Sequence, residues 1–427
     1  PIYDSIKRCK KCNEQFVDYS SCPNCGNEEI LDKAEIIEAI QKLAIEVDEV
    51  FLATDPDIEG EKIAYDVYLA LRPFVNKISR TEFHEVTRSA IERAIRERRK
   101  LNEALVEAQL VKRIEDRWLG FGLSRFLWKI FKNTKLSAGR VQTPVLGWII
   151  ERDRQHRQSY TDFTTIELEN GIKLTLKGKI VANKAIITDV KLEEKEILPP
   201  RPFTTDTLLQ EAARRFGFSS AYTMKLAQDL FELALITYHR TDSTRVSNAG
   251  ISIAKSWIED NLGKNYFMPR RFAGRGAHEC IRPTRSIDVK RLKLLMKEGI
   301  IIPVKAITKD HLKLYDLIFR RFIASQCKPA RVLWEEAELR LDGGVAKLGG
   351  VVEVHFPGWM KFIRAVAEVP LLRKGERVRI IRKRYFRAAE VGLFDEGEVI
   401  ATMKERGIGR PSTYAKIVTT LFERKYI

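Results

Sequence analysis

Residues 235–245 read Leu235-Ile236-Thr237-Tyr238-His239-Arg240-Thr241-Asp242-Ser243-Thr244-Arg245. An apolar run that ends at Ile236 leads into this polar cluster, which places a tyrosine two residues before an arginine. A phenol with a pKa of about 10 is a poor nucleophile unless its phenolate is stabilised. The guanidinium of Arg240 offers a fixed charge and a fork that suits a phosphodiester. The stretch indicates a tyrosine that attacks phosphate, or, on spacing alone, a strand-end tyrosine beside an exposed polar turn.

The length and the charge of the chain bound what it can be. At 427 residues it is too long for one compact core, and several domains are expected. Its 75 Lys and Arg against 58 Asp and Glu give a net charge of +17, which favours a polyanionic partner over a merely soluble basic protein. No run of about 18 apolar residues and no signal peptide is present, so we expect no transmembrane helix and a cytoplasmic location.

Four of the six cysteines form two pairs near the beginning of the chain. The pairs are Cys9-x-x-Cys12 and Cys22-Pro-Asn-Cys25. Four thiolates at this spacing can bind Zn²⁺ tetrahedrally, and because such a site has no open position its role should be structural. We therefore expect a zinc ribbon over residues 1–30. The basic residues around it either contact DNA or form a solvated face. Cys280 and Cys327 are interpreted as ordinary thiols.

A group of acids follows the apolar segment Val50 to Thr54, which we predict to be a buried strand. The acids are Asp55, Asp57, Glu59 and Glu61, and a helix is predicted from about Lys62 to Leu71. Carboxylates spaced by two at the carboxyl end of a strand can converge on one hard cation such as Mg²⁺. The alternative is an acidic turn that caps the next helix.

Taken together, these motifs resemble those of the type IA DNA topoisomerases. The family's active-site signature is similar to Ile-Thr-Tyr-His-Arg-Thr-Asp-Ser around Tyr238, and the acidic motif resembles that of the Toprim fold. The resemblance implies that Tyr238 forms a 5′-phosphotyrosyl intermediate with one DNA strand and that Arg240 stabilises the phosphoryl charge. It also implies that Asp55, Asp57 and Glu59 hold Mg²⁺ for resealing.

Further segments match family motifs and supply the remaining candidate residues. Gly276-Ala277-His278-Glu279-Cys280-Ile281-Arg282-Pro283-Thr284 implies that His278 contacts phosphate or carries a proton, although a lone histidine is usually structural. The resemblance assigns DNA contacts to Lys112, Arg113, Arg117, Arg140, Gln142, Gln228, Glu232, Thr241, Asp242, Arg410, Ser412 and Thr413.

The family's architecture implies a multidomain fold with α/β, α and β regions arranged as a toroid. We expect a Toprim domain at 31–117, helical DNA-gate segments at 118–158 and 389–427, a helical domain with the catalytic tyrosine at 201–329, and a β-rich arch at 159–200 and 330–388. The family's opening Toprim strand, which carries a further glutamate, has no counterpart in residues 1–31. An inactive DNA-binding fragment is therefore one alternative.

Within the family, a zinc ribbon ahead of the Toprim acids resembles the reverse gyrases. These couple such a module to an amino-terminal helicase-like ATPase and give ATP-dependent positive supercoiling. Because this chain has no Walker motif, ATP would act only through a helicase-like domain outside it. We expect a monomer that binds DNA, preferentially single-stranded. The alternatives are a stand-alone enzyme that relaxes negative supercoils, the inactive fragment, and a Toprim nuclease or primase, in which Tyr238 would have no role.

Overall fold

The structure is a computed structural model, and it describes residues 7–12, 14–274, 278–342, 344–363 and 366–427. Residues 1–6 of the predicted ribbon, and Gly276 and Ala277 of the histidine motif, lie outside the described residues. The chain divides into two compact units, Pro1–Phe126 and Leu127–Ile427. The predicted domain boundaries are finer than this division and stay predictions.

The first unit contains a small antiparallel sheet of order β2-β1-β3 and a parallel pair β4-β5. Its elements are β1 (Lys7–Cys9), β2 (Gln15–Phe16), β3 (Ile30–Leu31), α1 (Ala34–Ile45), β4 (Val50–Leu52), α2 (Ile58–Leu71), β5 (Ile78–Arg80), α3 (Arg88–Arg96) and α4 (Glu103–Phe131). The last helix continues past 117, where we predicted a boundary, and past the end of the first unit.

The acidic segment folds differently from its prediction in two respects. Strand β4 ends at Leu52 rather than at Thr54. It is also less buried than expected, since the side chain of Phe51 is 38% exposed. Helix α2 begins at Ile58 rather than near Lys62, because the side chain of Asp57 accepts a hydrogen bond from the backbone N–H of Gly60 at 2.7 Å. An aspartate in this position satisfies one of the free N–H groups of the first turn. Asp57 thus caps the helix, Glu59 and Glu61 lie in its first turn, and Asp55 precedes it.

The second unit combines a six-stranded antiparallel sheet with a group of helices. Its strands are β6 (Tyr160–Leu168), β7 (Lys173–Lys177), β8 (Lys184–Ile197), β9 (Ala330–Leu341), β10 (Gly344–Phe356) and β11 (Arg377–Ala389). Its helices are α5 (Gln142–Gln158), α6 (Thr205–Phe216), α7 (Ser220–Glu232), α8 (Asn248–Leu262), α9 (Val289–Lys297), α10 (Lys309–Ser325), α11 (Glu396–Glu405) and α12 (Tyr414–Glu423).

The sheet joins two segments that are far apart in the sequence. Its strand order is β10-β9-β8-β11-β6-β7, and β8 pairs with β9 from Ile186 opposite Arg340 to Ile197 opposite Ala330. Alternate residues of these strands, such as Ile166, Leu168 and Leu339, are buried in one apolar core. The two segments for which the family's architecture implied a β-rich arch, 159–200 and 330–388, therefore contribute their strands to one sheet.

The helices of the second unit bury a separate core. Val145 of α5, Leu209 of α6, Ile400 of α11 and Leu421 of α12 are all at most 1% exposed and pack in one cluster. Helix α10 is buried along much of its length. No helix among the described residues combines the length and the apolar character needed to cross a bilayer.

Candidate active site

Tyr238 lies in an irregular segment that follows helix α7. The helix ends at Glu232, and Ala234 turns the chain with a φ of 57°. The segment makes an isolated bridge between Ile236 and Pro283 but contains no named strand. Tyr238 is 2% exposed, so it is neither a strand-end residue nor part of an exposed turn.

Hydrogen bonds hold the residue before Tyr238 to the segment of the histidine motif. The N–H of Thr237 donates to the carbonyl of Arg282 at 2.9 Å, and its Oγ1 donates to the carbonyl of Cys280 at 2.8 Å. The same hydroxyl accepts from the N–H of Arg282 at 3.0 Å. A buried hydroxyl with both a donor and an acceptor partner has little freedom. The backbone on the amino side of Tyr238 is therefore fixed.

The residues after Tyr238 are fixed in a similar way by the beginning of α6. The Oγ1 of Thr205 donates to the carbonyl of His239 at 2.7 Å and accepts from the N–H of Thr241 at 2.9 Å. In return, the N–H of Thr205 donates to the carbonyl of Thr241 at 2.8 Å. The tyrosine thus sits between two anchored points. Thr241, which we predicted to contact DNA, is buried in this arrangement, while Asp242 is exposed.

Aromatic rings surround the phenol of Tyr238. Phe231 meets it edge to face at a centroid distance of 5.5 Å, and the imidazole of His278 lies nearly parallel to it at 5.8 Å. The structure therefore brings His278 to the tyrosine, as the resemblance implied. Packing of this kind restricts the ring to one orientation.

His239 is buried against the other side of Tyr238, at a centroid distance of 5.6 Å. Neither of its ring nitrogens has a hydrogen-bond partner among the described residues. Burial, together with the charge of the adjacent Arg240, lowers the pKa of His239 to about 3. The imidazole is therefore neutral at physiological pH.

Arg240 is connected to the carboxyl end of α7. Its Nη2 lies 3.4 Å from Oε1 of Gln228, and Gln228 donates in turn to Glu232 at 2.8 Å. The ammonium of Lys305 binds Glu232 and also Asp229, the latter at 3.0 Å. Hydrogen bonding from Lys305, and then from Gln228, lowers the pKa of Glu232. Two predicted DNA-contact residues, Gln228 and Glu232, thus lie in the network that holds Arg240.

A buried ion pair stabilises the segment that carries His278. The guanidinium of Arg282 donates to Glu279 through Nε at 2.9 Å and through Nη2 at 2.7 Å. Glu279 also accepts from the N–H of Ser247, the N-cap of α8, at 3.2 Å. Burial alone would raise the pKa of Glu279, but the charge and the hydrogen bonds of Arg282 outweigh it, and the pKa is lowered.

In the first unit, the three predicted metal ligands follow strand β4. Asp57 caps α2, and Glu59 lies 3.7 Å from the guanidinium of Arg113, itself a predicted DNA-contact residue. Among the described residues, only the four cysteines form a group of three or more ligands whose atoms all lie within 4.8 Å of one another. The carboxylates of Asp55, Asp57 and Glu59 thus have the oxygen donors that Mg²⁺ prefers, but they are further apart than that.

Behind these acids lies a charged cluster that the sequence did not point to. Arg80 is fully buried, and its guanidinium donates to the carbonyls of Leu52, Thr54, Asp55 and Thr81 at 2.8–3.0 Å. Its Nε donates to Glu61 at 3.0 Å. The guanidinium therefore joins the backbone of the acidic loop to α2.

Glu61 is the centre of this charged cluster. It also accepts from both terminal nitrogens of Arg99 at 2.8 Å and from the N–H of Asn102 at 2.6 Å. Burial acts to raise the pKa of Glu61, but hydrogen bonds from Arg99, Asn102 and Arg80 lower it to about 2. Glu61 is therefore a structural carboxylate rather than a free metal ligand.

The four clustered cysteines have the geometry of a metal site. Sγ of Cys9 lies 3.6 Å from that of Cys25, and Sγ of Cys12 lies 3.5 Å from those of Cys22 and Cys25. Four thiolates around Zn²⁺ at about 2.3 Å place their sulfurs about 3.8 Å apart. Hydrogen bonding from the backbone of Cys12 contributes most to lowering the pKa of Cys9, to about 6. The donor set thus fits zinc.

The remaining candidates differ in accessibility. Arg117, Arg140 and Arg410 are exposed, whereas Gln142 is buried at the beginning of α5 and bonds Ser137. Lys112, Ser412 and Thr413 are half-buried. The hydroxyl of Thr413 accepts from the N–H of Arg410 at 2.9 Å. The DNA contacts of these residues stay predictions.

Several residues of the site carried no local signal in the sequence. Thr205, Arg80 and Lys305 act through partners 25 to 76 positions away. Arg282 stands in the histidine motif, and its spacing from Glu279 could have indicated the pair, but only the fold shows that both are buried.

Comparisons with known proteins agree with this arrangement. A family model described as DNA topoisomerase matches residues 100–427, and one described as Toprim domain matches residues 6–86. The whole chain aligns with reverse gyrase of Pyrococcus furiosus at 52% identity and with that of Pyrobaculum aerophilum at 45%. It spans only 36% and 35% of the lengths of these relatives.

A solved structure extends the comparison to the fold. Full-length topoisomerase I of Thermotoga maritima superposes with a TM-score of 0.74 at 30% identity, over 98% of this chain and 73% of that one. The Toprim match implies divalent-metal binding in the first unit, and the four cysteines are suited to hold zinc. From the family model, which matches more than half of the residues, and from this fold, we conclude that the chain belongs to the type IA DNA topoisomerase family of isomerases.

Proposed function

We propose that Tyr238 is the nucleophile that cleaves one DNA strand. The observation that carries this proposal is the position of its phenol, which is held between two anchored backbone segments with Arg240 two residues away. A nucleophile needs a fixed orientation toward the phosphorus, and a neighbouring guanidinium is suited to the charge on the phosphoryl oxygens. The second unit supplies both features from one short segment.

In the proposed step, the phenol oxygen of Tyr238 forms a bond to phosphorus and the bond from phosphorus to O3′ breaks. The strand then carries its 5′-phosphate on the tyrosine, and the phenol proton ends on the 3′-hydroxyl. His278, stacked on the phenol, is suited to carry this proton or to contact the phosphate. Because the attack is a transesterification, the reverse step reseals the strand without an external energy source.

Two metals are proposed for this chain. Zn²⁺ bound by Cys9, Cys12, Cys22 and Cys25 would be structural. Asp55, Asp57 and Glu59 would hold Mg²⁺, whose charge offsets that of a DNA phosphate. The twelve DNA-contact residues named above, among them Arg113, Arg140 and Arg410, would bind single-stranded DNA.

The relatives support a more specific assignment. Their name, reverse gyrase, and their identities of 42–52% favour a topoisomerase part that gives ATP-dependent positive supercoiling when joined to a helicase-like domain. That domain, a cytoplasmic location and a monomeric state belong to this proposal. The stand-alone relaxing enzyme is less favoured, because the relatives at 42–52% identity are named reverse gyrase, whereas topoisomerase I of T. maritima is 30% identical.

The test is covalent capture of DNA. The protein is mixed with 3′-end-labelled single-stranded DNA and Mg²⁺, quenched in denaturant, and examined for a protein-linked fragment. We expect a 5′-linked adduct in the wild type and none in Tyr238→Phe. Tyr222→Phe is the matched control, because Tyr222 donates to Asp310 on the surface.

The possible results separate the proposals. An adduct that persists in Tyr238→Phe would rule out this nucleophile. Salt-dependent DNA binding without any adduct would support an inactive DNA-binding fragment instead. Positive supercoiling is tested separately, by joining the chain to the helicase-like region of a reverse gyrase and following plasmid topology with ATP.

A further inference from the structure

We propose that Arg80 is a positioning residue for the acidic loop, residues 54–59, and fixes the backbone from which Asp55 and Asp57 present their carboxylates. The inference rests on the proposed metal-binding role of these acids. Arg80 is the last residue of β5, and its side chain passes beneath the end of β4. It is not itself one of the proposed metal ligands.

The first argument is the number of carbonyls that one guanidinium holds. Nη1 donates to Leu52 and Thr54, and Nη2 donates to Asp55 at 2.8 Å. These carbonyls follow the chain from the last residue of β4 into the acidic loop. Buried carbonyls need partners; that of Leu52 also accepts from the N–H of Thr81 at 3.0 Å, whereas those of Thr54 and Asp55 lie beyond the end of β4. Arg80 supplies the donors that a further strand would otherwise provide.

The second argument comes from the opposite side of the same carbonyl. A Cβ built on Gly60 would lie 1.9 Å from the carbonyl oxygen of Asp55, so α2 packs directly against it. The hydroxyl of Thr54 also donates to the carbonyl of Gly60 at 2.6 Å. The carbonyl of Asp55 is therefore held between the guanidinium of Arg80 and the first turn of α2. These two contacts fix the backbone from which the Asp55 side chain extends.

The third argument is energetic. A buried ion pair such as Arg80 with Glu61 usually contributes no more stability than apolar side chains of equal volume. An apolar side chain, however, has no donors for the carbonyls of the loop. Lysine keeps the charge but lacks the planar fork that reaches several acceptors at once. The contribution that only arginine can make here is to hold several carbonyls of the loop in one arrangement.

Arg99 offers a matched comparison within the same cluster. It bonds the same carboxylate, Glu61, at 2.8 Å and also binds Glu82. Its side chain is one-third exposed and, among the described residues, forms no hydrogen bond or ion pair with residues 52–55. Removal of Arg99 thus takes a cation from the cluster and leaves the loop carbonyls bonded to Arg80.

The experiment compares wild type, Arg80→Met, Arg80→Lys and Arg99→Met as full chains. Mn²⁺ binding is titrated by electron paramagnetic resonance, and amide hydrogen exchange is followed over residues 53–61. For Arg80→Met we expect Mn²⁺ affinity to fall about 10- to 100-fold, the usual effect of removing a group that orients metal ligands. Exchange should accelerate in the loop alone. Arg80→Lys should be intermediate, and Arg99→Met should resemble the wild type.

Wild-type affinity and exchange in Arg80→Met would overturn the proposal, and so would an equal loss in Arg99→Met. If Arg80→Met loses amide protection throughout the first unit, Arg80→Lys takes its place. Weaker Mn²⁺ binding and faster loop exchange in Arg80→Lys than in Arg99→Met would then support the proposal, and equal values would overturn it. If the wild type binds no Mn²⁺, the proposed metal role of the acids fails. Loop exchange then decides alone: faster exchange in Arg80→Met but not in Arg99→Met supports the positioning role, and equal exchange refutes it.

Discussion

Glu279 and Arg282 form a bidentate ion pair in which the side chains are 9% and 1% exposed. The pair fastens the segment after His278 to the N-cap of α8, and Arg282 bonds the residue before Tyr238 through its backbone. One buried pair thus supports both His278 and Tyr238.

Substitution of Glu279 by Gln should leave the guanidinium of Arg282 buried without its counter-charge. We expect the free energy of unfolding to fall by about 3–5 kcal/mol, as is usual when one member of a buried pair is removed. Urea unfolding measures this loss, and adduct yield on single-stranded DNA should fall with it. Glu169→Gln is the control, because its pair with Arg379 is exposed. An equal loss in both variants would contradict the role given to burial.

Substitution of Thr205 by Val should loosen the segment after Tyr238. The change keeps the shape of the side chain but removes the hydroxyl that bonds the carbonyl of His239 and the N–H of Thr241. Leaving such buried groups unsatisfied costs about 1–3 kcal/mol. We expect a lower urea midpoint and less adduct. In Thr402→Val the lost bond lies within one helix, and adduct yield should not change.

His239 should make stability depend on pH above the range in which carboxylates titrate. Its pKa is about 3 in the folded chain, whereas an unfolded histidine has a pKa of about 6.5. Between these values the unfolded state binds the extra proton, so the free energy of unfolding falls as pH decreases from about 6.5, by at most about 1.4 kcal/mol per pH unit.

The variant His239→Leu should remove this slope. Its urea midpoint should change less between pH 7.5 and pH 5 than that of the wild type. At pH 7.5 it should be as stable as the wild type or more so, since the ring nitrogens lack partners. The pKa of Glu61 is lowered to about 2, so its contribution to the free energy of unfolding is constant over this range and is lost only as pH falls further. Identical slopes in the two proteins would show that His239 is not the titrating group.

Features that depend on spacing along the chain could be predicted from the sequence. The cysteine pairs converge because Cys9 and Cys12, like Cys22 and Cys25, are close neighbours in a short ribbon. The strands of the β-rich region alternate with a period of two because one face of the sheet is buried. The motifs around Tyr238 and His278 identified the family, and the family model then accounted for the fold.

Features that depend on partners distant in the sequence could not be predicted. Nothing near Arg80 indicates that four carbonyls need its guanidinium. Nothing in the sequence near Thr205 indicates that it holds residues 239–241. The start of α2 was placed too late because the acids concealed the cap formed by Asp57. Helices α8, α9 and α11 lie in segments that were expected to be helical, 201–329 and 389–427, but their bounds were not predicted.

Substitution of Gly60 by Ala should displace the acidic loop. The new Cβ would lie 1.9 Å from the carbonyl oxygen of Asp55, and a backbone atom cannot move away without moving the loop. We expect a lower thermal midpoint and weaker Mn²⁺ binding. Gly122→Ala is the matched control, because it is also helical and a Cβ there meets nothing within 4 Å. That variant should be stabilised by up to about 1 kcal/mol. Destabilisation of both proteins would refute the steric explanation.

Removal of zinc should unfold the ribbon and leave the second unit intact. The cysteine cluster is supported by few apolar residues, chiefly Phe16 and Ile30, and small domains of this kind depend on their metal for folding. We expect one zinc per chain by elemental analysis and loss of this zinc in Cys12→Ser. Cys280→Ala should keep it, because that thiol is buried in the second unit, where burial raises its pKa. In Cys12→Ser, amide hydrogen exchange should become faster in residues 7–31 alone. A zinc content that Cys12→Ser does not change would place the metal elsewhere.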